Sequence, residues 1–246
     1  VWSAHATLVQ RHTWLFTDRA RVSEAVIVYS LPTVVWRHFS TVSELFDGGS
    51  WADLPAKHTP VGGHFAWLTY ASRLLDESHI SYRGQVLGHP DLMQDGPSLK
   101  TLSSSTKLVI LPGVDAISDL HAASIASWVR NGGHLVLLGE NSGSLNEELI
   151  PRLDNTTAWT RLVSDSGRGT VTTVNCSVMD AAVGGSATPP YSPAAYQLLQ
   201  VFRESVTPLL QTTAPEDVYM TLWRHGGGDS AVSVDLVHYS KHHADI

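Results

Sequence analysis

Residues 107–143, KLVILPGVDAISDLHAASIASWVRNGGHLVLLGENSG, decide how this chain is read. Lys107–Leu111 is a short apolar, β-branched run closed by Pro112-Gly113, the pattern of a buried strand running into a tight turn. Ser118 stands where a helix cap belongs. Behind it Ile117, Leu120, Ile125, Trp128 and Val129 approximate one apolar face, and Asn131-Gly132-Gly133 supplies the stop. His134–Leu138 is a second buried strand. Two apolar strands joined by a helix of about three turns predict a parallel, right-handed crossover in an open α/β sheet, with the functional rim beyond the strand C-termini. On that rim the sequence places Asp115, Glu140, Asn141 and Ser142.

Working outward, Ala25–Tyr29 reads as a buried strand, His64–Glu77 as a helix with Phe65, Leu68, Ala71, Leu74 and Leu75 inward, and Ile80–Leu87 as a further strand. Ala6–Thr17 has mixed helical spacing, and Pro97–Ser105 is a candidate short helix. Between Trp36 and Gly63 the chain is rich in Gly, Pro and aromatic residues, and reads as a long irregular loop over the rim. After Gly143, Leu145–Leu153 reads as a short helix, Gly169–Val174 as a strand, and Ser192 or Pro193 opens a helix to about Leu210. Asp217–Arg224 and Ala231–Tyr239 alternate in side-chain class around Gly226-Gly227-Gly228-Asp229, as in an antiparallel hairpin. The expected organisation is a flavodoxin-like parallel sheet with helices on both faces over residues 1–212, and a hairpin or the start of a small β-sandwich over 213–246. Such a hairpin would leave an edge open to pairing.

A resemblance sharpens this reading. The LPG strand end, the helix and the GG-bounded strand resemble the class I glutamine amidotransferase-like fold, in which they lead to a G-x-C-x-G nucleophile elbow. Here the stretch is Gly139-Glu140-Asn141-Ser142-Gly143. Asn141 stands in the cysteine's place, and an amide cannot be activated as a thiolate can. The more particular resemblance is to the degenerate amidotransferase-like module that follows the catalytic barrel in family 42 β-galactosidases and related glycoside hydrolases, often called the trimerisation domain. VIVYS at Val26–Ser30, the VILPG to LVLLG core, and the VYMTLWRH and AVSVDLVHYS strands carry it. It implies subunit contacts, a preceding barrel of the parent chain as partner, and catalytic carboxylates that lie in that barrel.

With 246 residues, 43% hydrophobic and 16% charged, the chain can bury one large core or one core plus a small appended sheet. A net charge of -7 disfavours nucleic acid and anionic membrane surfaces as partners. No apolar run reaches the roughly 20 residues of a membrane span. The start at Val1 without a leader reads as a part excised from something longer; the chain is expected to be soluble, its compartment, cytoplasmic or secreted, left open. Cys176 is the single cysteine, so it can form neither an internal disulfide nor a thiolate zinc cluster, and it is expected far from the elbow. Asn155-Thr156-Thr157 and Asn175-Cys176-Ser177 are sequons, glycan acceptors only in a eukaryotic secretory pathway.

Each candidate group has a plain structural role to weigh against a chemical one. Glu140 would orient a sugar hydroxyl or act as a base; capping the next turn or pairing with a cation is favoured, since no partner acid is identifiable. Asp115 supports the turn or the helix start. Ser142 stands one place past the nucleophile position. Trp36 and Trp51 would wall a carbohydrate cleft, but more often such residues anchor a long loop. The 13 histidines fall on different segments without H-E-x-x-H, so no metal site and no cofactor is expected. The chain is thus expected to be a non-catalytic structural and oligomerisation module of a larger glycoside hydrolase-like protein. A carbohydrate- or small-molecule-binding module, a component of a larger assembly, and a stand-alone hydrolase using residues other than cysteine remain open beside it.

Overall fold

The computed structural model describes residues 7, 10, 11, 19–38, 63–88, 102, 106–139, 142–151, 168–175, 177–179, 192–213, 218–226 and 232–238. In chain order the elements are β1 Arg19–Arg21, β2 Ala25–Ser30, α1 Leu31–His38, α2 Gly63–Glu77, β3 Tyr82–Leu87 and β4 Leu108–Pro112, followed by α3 Asp119–Arg130, β5 His134–Leu138, β6 Thr170–Val174, α4 Pro193–Ser205, β7 Val218–His225 and β8 Val232–His238. The larger sheet runs β3-β2-β4-β5-β6, and every pairing is parallel. Counted from β2 this is the flavodoxin-like order, which reverses between β2 and β4.

Strict alternation along the central strands builds two cores. Ile27, Ile110, Val136 and Leu138 face α2 and α4, meeting Trp67, Leu74, Leu198 and Phe202. Val26, Val28, Val109, Leu111, Leu135 and Leu137 point the other way, onto Ile117, Ile125, Ala126 and Val129 around α3. Central strands buried on both faces need continuous apolar runs, which is why VIV, LVIL and LVLL were legible. Full burial of each such Leu or Ile stabilises by about 1.5–3 kcal/mol. Within the helices two expected inward residues point out instead: Phe65 is 70% exposed and Leu120 60%. Trp67 and Tyr70 take the inward positions of α2, and His121 and Ala126 those of α3.

Local chemistry sets the helix limits. The Ser118 hydroxyl accepts the His121 N–H at 3.2 Å and caps α3, which ends at Asn131 with Gly132 at φ +106°. Ser192 caps α4 through the Ala195 N–H at 3.2 Å. That helix stops at Ser205, short of Leu210, because Val206 turns extended and the Leu209 N–H is taken by the buried Glu24 carboxylate at 2.8 Å. The expected helix over Leu145–Leu153 does not form in its described part. The Asn146 side chain accepts the N–H groups of Glu148 and Ile150 at 3.0 and 2.9 Å, and Leu149 is left-handed at φ +64°, so a side chain outcompetes the helical backbone. Thr7, Gln10 and Arg11 are helical; Pro97–Ser105 lies outside the described residues except Leu102.

A second, three-stranded antiparallel sheet has the order β1-β7-β8. The hairpin's expected open edge is the one filled. β1 pairs along the outer side of β7, from Arg19 opposite His225 to Arg21 opposite Trp223. Arg19 holds this strand by two contacts: its guanidinium lies 4.0 Å over the Trp223 ring and 3.2 Å from Asp235, which also accepts the Trp223 Nε1–H at 2.7 Å. Among the described residues β8 is an edge, with Val232, Val234 and Leu236 exposed on one face.

Candidate functional site

The reversal of strand order opens the C-terminal ends of β2 and β4 to each other, the place where open α/β sheets bind ligands. In this chain its own side chains occupy that place. β2 passes straight into α1 because the Ser30 hydroxyl accepts the Thr33 N–H at 3.2 Å, an N-terminal cap, and Pro32 sits in the first turn. The region from Trp36 to His38, expected to be loop, is therefore helix, and Trp36 lies half-buried on α1. From this corner Ser30 Oγ donates to the Ala116 carbonyl at 2.6 Å. Thr33 Oγ1 donates to the same carbonyl at 3.1 Å and accepts the Ala116 N–H at 3.0 Å.

His64, at the start of α2, ties the two strand ends together. Its Nδ1–H donates to the Pro112 carbonyl at 2.6 Å while Nε2 accepts the Ser30 N–H at 3.1 Å, which fixes a neutral tautomer. The ring stacks on Tyr29 at 5.2 Å between centroids. Burial lowers its pKa to about 4, the Pro112 hydrogen bond opposing and the nearby Arg37 cation assisting. Arg37, 3% exposed, donates through Nε to Asp115 at 2.8 Å and through Nη2 to the Gly113 carbonyl at 2.9 Å. Gly113 itself is left-handed at φ +60°, and a Cβ there would meet the Trp67 ring at 2.4 Å, so no other residue fits this turn.

The turn that resembles the elbow follows β5. Gly139, at φ +111°, donates its N–H to the Val174 carbonyl at 2.8 Å, and the buried Ser142 donates to the Gly139 carbonyl at 3.4 Å. Gly143 then bonds the Val114 carbonyl at 2.6 Å, and Leu145 forms a parallel bridge with Ala116. The two rim turns, one carrying Asp115 and the other Ser142, are thus stitched together by backbone. Glu140, Asn141, Trp51 and Cys176 lie outside the described residues.

Chemically this is a closed set. Asp115 is engaged by the Arg37 guanidinium, and a histidine with both nitrogens engaged must break a strand tie to gain a proton. Among the described residues no three His, Cys, Asp or Glu cluster as a metal site, and no helix is long and apolar enough to cross a membrane. Arg37 and His64 had no motif to announce them. The available hint was the polar Ser30, Thr33 and Arg37 directly behind an apolar strand.

No family model and no curated protein matches the chain. Solved structures do. The chain is similar to parts of β-galactosidases. It is 19% identical to the β-galactosidase from Bifidobacterium adolescentis over 59% of this chain and 53% of that one, with a TM-score of 0.38. The cold-adapted β-galactosidase from Rahnella sp. R3 is matched at 11% identity over 84% of this chain and 36% of that one, with a TM-score of 0.48. A family 42 exo-carrageenase from Bacteroides ovatus is matched at 10% identity over 88% and 24%, with a TM-score of 0.42. The chain spans about half the length of the first of these proteins and about a third or less of the others.

Proposed function

We propose that this chain is a non-catalytic, amidotransferase-like structural module of a larger glycoside hydrolase-like protein, and that it serves in self-association. One observation carries the reading. At the strand-order reversal, where the fold would seat a ligand or a nucleophile, Ser30, Thr33, Arg37, His64 and Asp115 bond to each other and to the strand ends. Asn141 in the cysteine's place agrees with this. The oligomerisation role draws support from β8, an edge strand among the described residues, whose exposed Val232, Val234 and Leu236 make an apolar stripe suited to a second copy or to a neighbouring domain of the parent chain.

The test is turnover by purified residues 1–246 on aryl glycosides and on glutamine. No activity above a Ser142→Ala variant is expected. Robust turnover that this variant abolishes would overturn the non-catalytic reading.

A further inference from the structure

A second concave surface lies away from the rim. Along α2, Phe65, Leu68, Thr69, Ser72, Arg73 and Asp76 fall at the spacing of one helical stripe, opposite the face that Trp67, Ala71, Leu74 and Leu75 bury in the core. Across from the stripe stand Tyr219 and Thr221, successive residues on one face of β7. Between them is a cleft of about 650 Å³, inside the range of about 300–1,000 Å³ typical of small-molecule sites.

Its lining is selective in character. Phe65, 70% exposed, and Tyr219 offer aromatic surface. The hydroxyls of Thr69 and Ser72 donate back to the Phe65 and Leu68 carbonyls at 2.9 and 2.8 Å; Ser72 also bonds the Tyr82 side chain, so it is Thr69 that turns lone pairs outward. The hydroxyl of Tyr82 donates to Asp76 Oδ2 at 3.1 Å, and Glu77 accepts from Arg73 Nε at 2.9 Å. Among the described residues those bonds leave the second Asp76 oxygen and the Arg73 terminal nitrogens for a ligand. Glu77 balances the Arg73 guanidinium and Arg21 lies near the Asp76 carboxylate, so a strongly charged ligand gains little here. Several acceptors, a fork of donors and aromatic walls match a molecule with many hydroxyls and apolar C–H faces.

We propose that this cleft binds a neutral mono- or disaccharide, its ring against Phe65 and Tyr219 and its hydroxyls on Asp76, Arg73 and Thr221. The site is separate from the rim and stands whether or not the chain is a structural module.

Calorimetry and saturation-transfer NMR on residues 1–246 with glucose, galactose and lactose test it, with glycerol and putrescine as controls. Saturable binding of at least one sugar is expected, with a Kd between about 10 μM and 10 mM. Phe65→Ala and Asp76→Asn should each weaken it at least about tenfold with unchanged circular dichroism, because Phe65 is exposed and the amide is nearly isosteric. Ser142→Ala, at the rim, should leave it unchanged. Absence of saturation by all three sugars overturns the proposal. So does binding that survives both cleft variants, or binding of putrescine in place of sugar.

Discussion

Replacing His64 probes the rim as a lock. In His64→Phe the ring shape persists, but the buried Ser30 N–H and Pro112 carbonyl lose their partners. At about 1–3 kcal/mol per orphaned group, the variant should lose about 2–6 kcal/mol at pH 7.5. The loss must also depend on pH. With a folded pKa near 4 against 6.5 for an ordinary histidine, the wild-type imidazole is held neutral. Its contribution is whole above pH 6.5 and drains away as pH falls toward 4, because the unfolded chain takes up the proton first. At about 1.4 kcal/mol per pH unit, wild type should surrender about 2–3 kcal/mol of its advantage over the variant between pH 7.5 and 4.5. Asp76 works in the opposite direction: burial raises its pKa to about 6, so acidification relieves it. That contribution is present in both proteins and cancels in the difference. Urea unfolding followed by tryptophan fluorescence at the two pH values gives the number. His64→Gln, which keeps a donor and an acceptor, should recover part of the loss and show the same missing pH dependence. Equal destabilisation at both pH values would refute the neutral strand tie.

Three further outcomes follow from the same structure. Asp115→Asn should destabilise by about 3–5 kcal/mol in urea unfolding, because it strands the Arg37 charge among buried groups; a loss below about 1 kcal/mol would mean that the pair is solvated. Leu111→Ala should cost about 2–5 kcal/mol as a fully buried residue of the central β4, where an edge strand would show much less. Relative to Asp76→Asn, wild type should gain stability on acidification from pH 7 to 5, since a carboxyl with a raised folded pKa is penalised while ionised; a stability difference that does not change with pH would contradict its burial.

How far the sequence reached depends on the range of the interaction. Strands β2, β4 and β5 and helix α3 declare themselves by local means, since continuous apolar runs and a serine cap need only neighbours a few residues away. β1 does not. Arg19–Arg21 has no strand pattern and is a strand only because β7, some 200 residues later, presents Trp223 and Asp235 to Arg19. α1 was hidden for a similar reason: its cap is the last residue of a strand, where Ser30 reads as strand rather than as helix start. At the rim, Asp115 follows β4, but its partner Arg37 lies 78 residues away, and Pro112 lies 48 residues from His64. Spacing cannot expose such pairs. They arise from the strand order, which brings the ends of β2 and β4 side by side. The inward face of α2 failed at Phe65 because helical period alone does not say which of two apolar stripes meets the sheet.

The central proposal is that this chain joins copies of itself or of its parent. Multi-angle light scattering on residues 1–246 over a hundredfold concentration range tests it most directly. The account predicts a molar mass that rises to a whole multiple of 26.7 kDa and falls back on Leu236→Lys, little changed by salt or chelator. A mass fixed at 26.7 kDa across the range would contradict it.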